Sequence, residues 1–271
     1  MAKENYSALL LSNYFIAKRA QKAEPALPRA VLAVAQALAT WRSTPPLCYA
    51  GRPPRLIEFS ELGIATYMTW LKHVNTSGIP KPFSLSSHDW KPELTLHLLP
   101  NKDLFFALPS GLNETLLRLN RFMEVVAQVC LGFGAYYGYT NDQRLRRCWQ
   151  NLVGIEGNRL TSTPLRNVGF PEPLPELLHF SKFDSRLVPD GIWWVNFWDS
   201  VIVETIGLER IQSAPWEILV ELSEGGVVVA ATEEPTDAQN PLHLAKLAQI
   251  VEHLGLRRLQ ERYQVPTPVK E

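Results

Sequence analysis

Between Glu217–Leu222 and Val227–Thr232, two short apolar runs, lies the turn Ser223-Glu224-Gly225-Gly226. A chain that reverses over so few residues can pair its flanks only antiparallel, since a parallel pair needs a crossover of a dozen residues or more. The same holds for Glu93–Leu99 and Asp103–Leu108, joined by Pro100-Asn101-Lys102. These two hairpins commit the chain to antiparallel sheet. Helical periodicity fills the stretches between. Leu27, Val31, Val34, Leu38 and Trp41 share a face over Pro25–Trp41, and Ser60 caps a helix over Glu61–His73. Asn113 caps Glu114–Cys130, whose stripe is Leu116, Leu119, Phe122, Val126 and Val129. Asn240-Pro241 opens a last helix to Leu254, closed by Gly255 as a left-handed cap. The fold class that follows is α+β, antiparallel sheets packed with helices.

Several other segments are expected to be ordered. Tyr6–Leu11 and Gly191–Trp198 read as strands, Gly132–Tyr139 as an extended aromatic segment, and Asn141–Trp149 as a short basic helix. Asp199 is the expected cap of a helix ending near Ile206. Pro164, Pro171, Pro173 and Pro175 punctuate a stiff, wrapped connection. It divides an N-terminal α+β region, 1–162, from a C-terminal α+β region, 163–271, within one compact chain.

Signatures of chemistry fare poorly. Gly132-x-Gly134-x-x-x-Gly138 follows a helix, where a dinucleotide fingerprint must precede one, and its spacing is wrong. A glycine-relieved strand is the better reading. No Walker sequence, Gly-x-Ser-x-Gly or His-Glu-x-x-His occurs. None of the histidines, His73, His88, His97, His179, His243 and His253, sits three or four residues from another, so no helix face offers a metal pair. Capping or surface roles are expected of them. Cys48, Cys130 and Cys148 are widely spaced and odd in number, which fits free thiols and neither a disulfide framework nor a zinc site. No metal and no cofactor is expected, and the chain is not read as an enzyme. An enzyme whose site is assembled from distant segments stands as a rival reading.

Partners are bounded by charge. Lys plus Arg and Asp plus Glu each number 27, so the basic excess of a nucleic-acid binder is missing, and Arg144, Arg146 and Arg147 read as a solvated face. No stretch approaches the ~20 apolar residues of a membrane span, and no signal peptide is recognised, so the expected location is the cytoplasm. Two features suit a protein partner. Glu233, Glu234 and Asp237 form an acidic cluster before the last helix, either a solvated loop or a patch for a basic surface. Trp193, Trp194, Phe197 and Trp198 crowd one strand, with aromatics on both faces; they read as core, or with Trp193 and Trp198 as anchors for a partner.

On Pro189-Asp190-Gly191-Ile192-Trp193-Trp194-Val195-Asn196-Phe197-Trp198, Gly225-Gly226-Val227-Val228-Val229 and Thr232-Glu233-Glu234-Pro235, the C-terminal third resembles the bacterial immunity protein 52 family. The likeness begins at Pro189-Asp190-Gly191-Ile192-Trp193-Trp194-Val195-Asn196-Phe197-Trp198 and the helix Val201–Leu208. It continues through Gly225-Gly226-Val227-Val228-Val229, Thr232-Glu233-Glu234-Pro235, Asp237 and Pro241-Leu242-His243-Leu244. It covers about Pro189–Leu254, the earlier half matching in layout alone, and its motifs are structural. The resemblance implies an immunity protein of a type VI secretion or polymorphic-toxin system, which binds and neutralises a cognate effector. That effector is expected to be a restriction-endonuclease-like nuclease. An adaptor of the secretion machinery, binding a constant component instead of one toxin, is the other reading.

Overall fold

A computed structural model describes residues 14–18, 20, 29, 32, 47–49, 62, 66, 83–86, 92–98, 104–107, 119–141, 183–237 and 240–265. The chain forms two compact units, Met1–Gly138 and Tyr139–Glu271. The expected boundary at 162/163 and the proline-rich connection lie outside the described residues, as do the strand Tyr6–Leu11 and nearly all of the first two helices. The fold is α+β, with antiparallel strands and helices.

In the first unit the strands are β1 (Tyr14–Lys18), β2 (Leu47–Tyr49), β3 (Phe83–Ser86), β4 (Pro92–Leu98) and β5 (Leu104–Ala107). Their order is β2-β3-β4-β5-β1, antiparallel at each junction. The expected hairpin is present: Thr95 stands opposite Ala107 and Leu98 opposite Leu104. The β3–β4 register slips between Leu85 and Ser86, where Ser86 meets Pro92, a residue with no N–H to give the ladder.

Helix α1 (Leu119–Phe133) packs on β1 with Phe122, Met123, Val126, Val129 and Cys130 buried. It runs past the expected end at Cys130. Termination falls to Gly134 at φ 65, where the Gly134 amide donates to Leu131 O at 3.0 Å and the Ala135 amide to Cys130 O at 2.9 Å. That is the paired bonding of a Schellman ending. Gly132–Phe133 are thus helical, and the extended run starts only at β6 (Tyr137–Asn141). Asn141 is the last residue of that strand, and the rest of the expected helix Asn141–Trp149 lies outside the described residues. Within β6, Gly138 does relieve a close approach: a Cβ there would lie 2.6 Å from the Phe15 ring.

The second unit continues from β6 at Tyr139 through β7 (Val195–Trp198) to β9 (Val227–Ala230) and the edge strand β8 (Ile218–Glu221). Trp198 pairs with Val227, and Glu221 with Val227 on the other side, so the glycine-bearing hairpin forms as expected. Both β7 and β9 are buried along their whole length. Only the last four residues of the expected Gly191–Trp198 strand join the ladder. Asn196 explains the shortfall: its Oδ1 accepts from the Trp193 amide at 3.1 Å and its Nδ2 donates to Trp193 O at 2.8 Å. Its side chain thus satisfies backbone groups that a ladder would otherwise have held.

Among the described residues of this unit are four helices: α2 (Ser200–Ile206), α3 (Leu208–Gln212), α4 (Pro241–Leu254) and α5 (Leu256–Arg262). Asp199 caps α2, its carboxylate accepting from the Ile202 amide at 3.0 Å. Asn240 caps α4, and Gly255 ends it in the left-handed region. α4 buries Leu244, Leu247, Ile250, Val251 and Leu254 along one stripe and packs against α3 and α5.

Candidate functional site

The acidic loop is built from the end of β9 onward. Trp194 Nε1 donates to Thr232 O at 2.9 Å, and Thr232 Oγ1 donates to Glu234 O at 2.7 Å. The Asp237 amide donates to His243 Nδ1 at 3.0 Å, and the Asn240 amide to Asp237 O at 3.0 Å. Thr236 turns inward, 5% exposed, while Glu233, Glu234 and Asp237 face solvent. The backbone is therefore tied at both ends, and three carboxylates project from it. His243, in the first turn of α4, is thus the residue that ties the loop to the helix through the Asp237 amide, while Asn240 is the cap. His253 Nε2 lies 3.1 Å from Ser213 Oγ.

The aromatic residues are placed otherwise. Trp193 and Trp198 are 1% and 0% exposed, so they are core and offer no face to a partner. Trp193 stacks on Tyr139 with ring centroids 5.2 Å apart, and Trp198 meets Trp216 edge-on at 5.7 Å. Burial this complete leaves neither ring a route to the surface, which corrects their reading as anchors. The structure thus keeps the acidic cluster together and separates it from the tryptophans by role: the tryptophans support, the carboxylates are presented.

Residues 123–255 match the family model described as "Domain of unknown function (DUF5953)". The matched stretch runs from α1 to Gly255 and contains the whole acidic loop. No curated protein matches the sequence significantly. Among solved structures, the Pseudomonas aeruginosa T6SS protein PA0821 is similar, at 12% identity and a TM-score of 0.45, over 89% of this chain and 72% of that one. The matched family model is not that of the immunity protein 52 family.

Other chemistry can be placed residue by residue. Burial pushes the Cys130 thiol well above its ordinary value, so it is held protonated, away from the thiolate that reacts or binds metal. Among the described residues, no three His, Cys, Asp or Glu side chains gather where they could hold a metal, and no helix is long and apolar enough to cross a membrane. The run Arg144, Arg146 and Arg147 lies outside the described residues.

A second charged feature was missed in the sequence. Arg210, Arg257, Arg258 and Arg262 line a groove of about 830 Å³ with Ala248, Val251, Glu252 and Leu259. The signal was present in Arg258 and Arg262, four residues apart. A left-handed glycine such as Gly255 signals the end of a helix, which hides the one that starts directly after it. In fact Gly255 serves both as the C-cap of α4 and as the N-cap position of α5.

Proposed function

We propose that this protein is an immunity protein, which binds a cognate secreted toxin in the cytoplasm and blocks it by direct contact, without catalysis. The toxin is a restriction-endonuclease-like nuclease of a type VI or polymorphic-toxin system, as the resemblance of Pro189–Leu254 to the immunity protein 52 family implies. The observation that carries the reading is the tethered loop with its exposed Glu233, Glu234 and Asp237. A nuclease must present a basic surface to DNA, and fixed carboxylates can occupy it where phosphates would lie. Because the loop's backbone is already ordered, little conformational entropy is lost on binding. The balanced net charge speaks for a local patch and against mimicry of DNA by the whole molecule.

The test is a calorimetric titration of the toxin with the folded Glu233→Lys/Glu234→Lys variant. Both side chains are exposed, so the melting temperature should stay within about a degree or two of the parent. Affinity should fall at least about tenfold, chiefly through slower association. Unchanged affinity of the folded variant removes the loop from the interface.

A further inference from the structure

We propose that the arginine-lined groove at the C-terminal end of α4 is a binding site for an acidic segment of a partner protein. Two elements supply its cations, Arg210 from α3 and Arg257, Arg258 and Arg262 from α5, while among the described lining residues Glu252 is the one carboxylate and none is a lysine. Arginine's planar fork matches carboxylates through paired hydrogen bonds, which a lysine ammonium cannot do.

The groove is held in shape before any ligand arrives. Arg210 Nη1 donates to Leu254 O at 3.3 Å and crosses Gly255, where a Cβ would stand 3.6 Å from it. Helix α5 is fastened from below: Gln260 Nε2 donates to Pro189 O at 2.7 Å, and Leu256 and Leu259 are buried. The Asp184 amide donates to Tyr263 O at 3.0 Å just after the helix. Arg262 also lies over the Tyr263 ring, at 5.7 Å. Arg258 and Arg262 are neighbours on one helix face, an arrangement that like-charge repulsion works against and that a bound anion relieves.

Size and lining select the ligand. At about 830 Å³ the groove is far larger than a single phosphate or carboxylate and suits a short stretch of peptide. Half-buried Ala248 places apolar surface between the charges, over the buried Val251 and Leu259, so a small aliphatic side chain between acidic ones is accommodated. A nucleic acid fits less well. Among the described residues the lining holds no aromatic ring for a base to stack on, and the chain has no basic excess to follow a phosphate backbone. The groove and the acidic loop lie at opposite ends of α4, whose 14 residues span about 20 Å. This site therefore stands independently of the function proposed for the loop.

The probe is a fluorescein-labelled peptide in which glutamates alternate with leucine and alanine, titrated into the full-length protein at about 0.1 M salt. Saturable binding is expected. It should weaken about tenfold or more in Arg258→Glu/Arg262→Glu and measurably in Arg258→Gln/Arg262→Gln, with Tm unchanged or raised in the glutamine variant. Equal binding by these folded variants, or of a peptide with glutamine in place of glutamate, overturns the proposal. So does tighter binding of a single-stranded DNA oligonucleotide that the same substitutions abolish, which would make the groove a nucleic-acid site.

Discussion

Asn196 is fully buried, and its amide returns two hydrogen bonds to the backbone of Trp193. Asn196→Ala strands a buried N–H and a buried carbonyl, so chemical denaturation should show a loss of about 2–4 kcal/mol. Asn196→Asp keeps the acceptor but loses the donor and buries a charge, and should be the worse of the two. At Gly138 the expected defect is steric. Gly138→Ala drives a Cβ into the buried Phe15 ring, with a loss of about 1–3 kcal/mol, part of which Phe15→Leu in the same chain should restore. Asp199 is a matter of charge. Burial raises its carboxyl above the ordinary aspartate range, against the lowering effect of the Ile202 and Val201 amides and of Arg186, with Glu204 adding to the rise. A folded-state value above the unfolded one means that ionisation opposes folding. The contribution of this carboxyl is fully present below the ordinary aspartate range and is lost as pH rises through the raised folded-state value. Asp199→Asn should therefore abolish that pH dependence and match or exceed the parent at neutral pH, while Asp199→Ala, without a cap, should lose about 1 kcal/mol. Denaturation curves at acidic and neutral pH distinguish the two. The motif residues Asn196 and Asp199 were visible in the sequence, but the bond from Asn196 to Trp193 was not. It depends on a bend that only tertiary packing fixes.

At the scale of elements, local chemistry explains what could be read in advance. The β8–β9 hairpin, the β4–β5 hairpin, the Asp199 cap and the span of α4 each depend on residues within a turn of one another. Elements set by longer-range packing were harder to read. Strand β1, Tyr14–Lys18, carries no bounding turn signal and is held by β5 from far along the chain. The left-handed residue at Gly255 signalled an ending, yet the same conformation allowed α5 to start at once. Missing α5 meant missing three of the four groove arginines. The aromatic strand shows the opposite error of emphasis, since its surface role required an open face and β7 is buried along its whole length. Glu233→Lys/Glu234→Lys and the α5 substitutions touch exposed positions on tethered elements. They should alter binding with little change in Tm, whereas the core substitutions above should do the reverse.

For the whole molecule, a net charge of zero conceals an uneven distribution in the second unit. Carboxylates precede the N-terminus of α4 and arginines gather at its C-terminal end, each where the helix dipole favours them. A protein built this way can meet a partner through local patches while remaining neutral overall. Association with the toxin should accordingly slow as salt rises from about 0.05 to 0.5 M, because screening shortens the reach of exposed charges to a few ångströms. The direct measurement is DNA cleavage by the purified nuclease toxin, titrated with the parent protein and with folded Glu233→Lys/Glu234→Lys. Complete inhibition by the parent, with a midpoint shifted at least about tenfold upward in the variant, is the predicted result. Cleavage that continues at saturating parent protein, or identical inhibition by both, contradicts it.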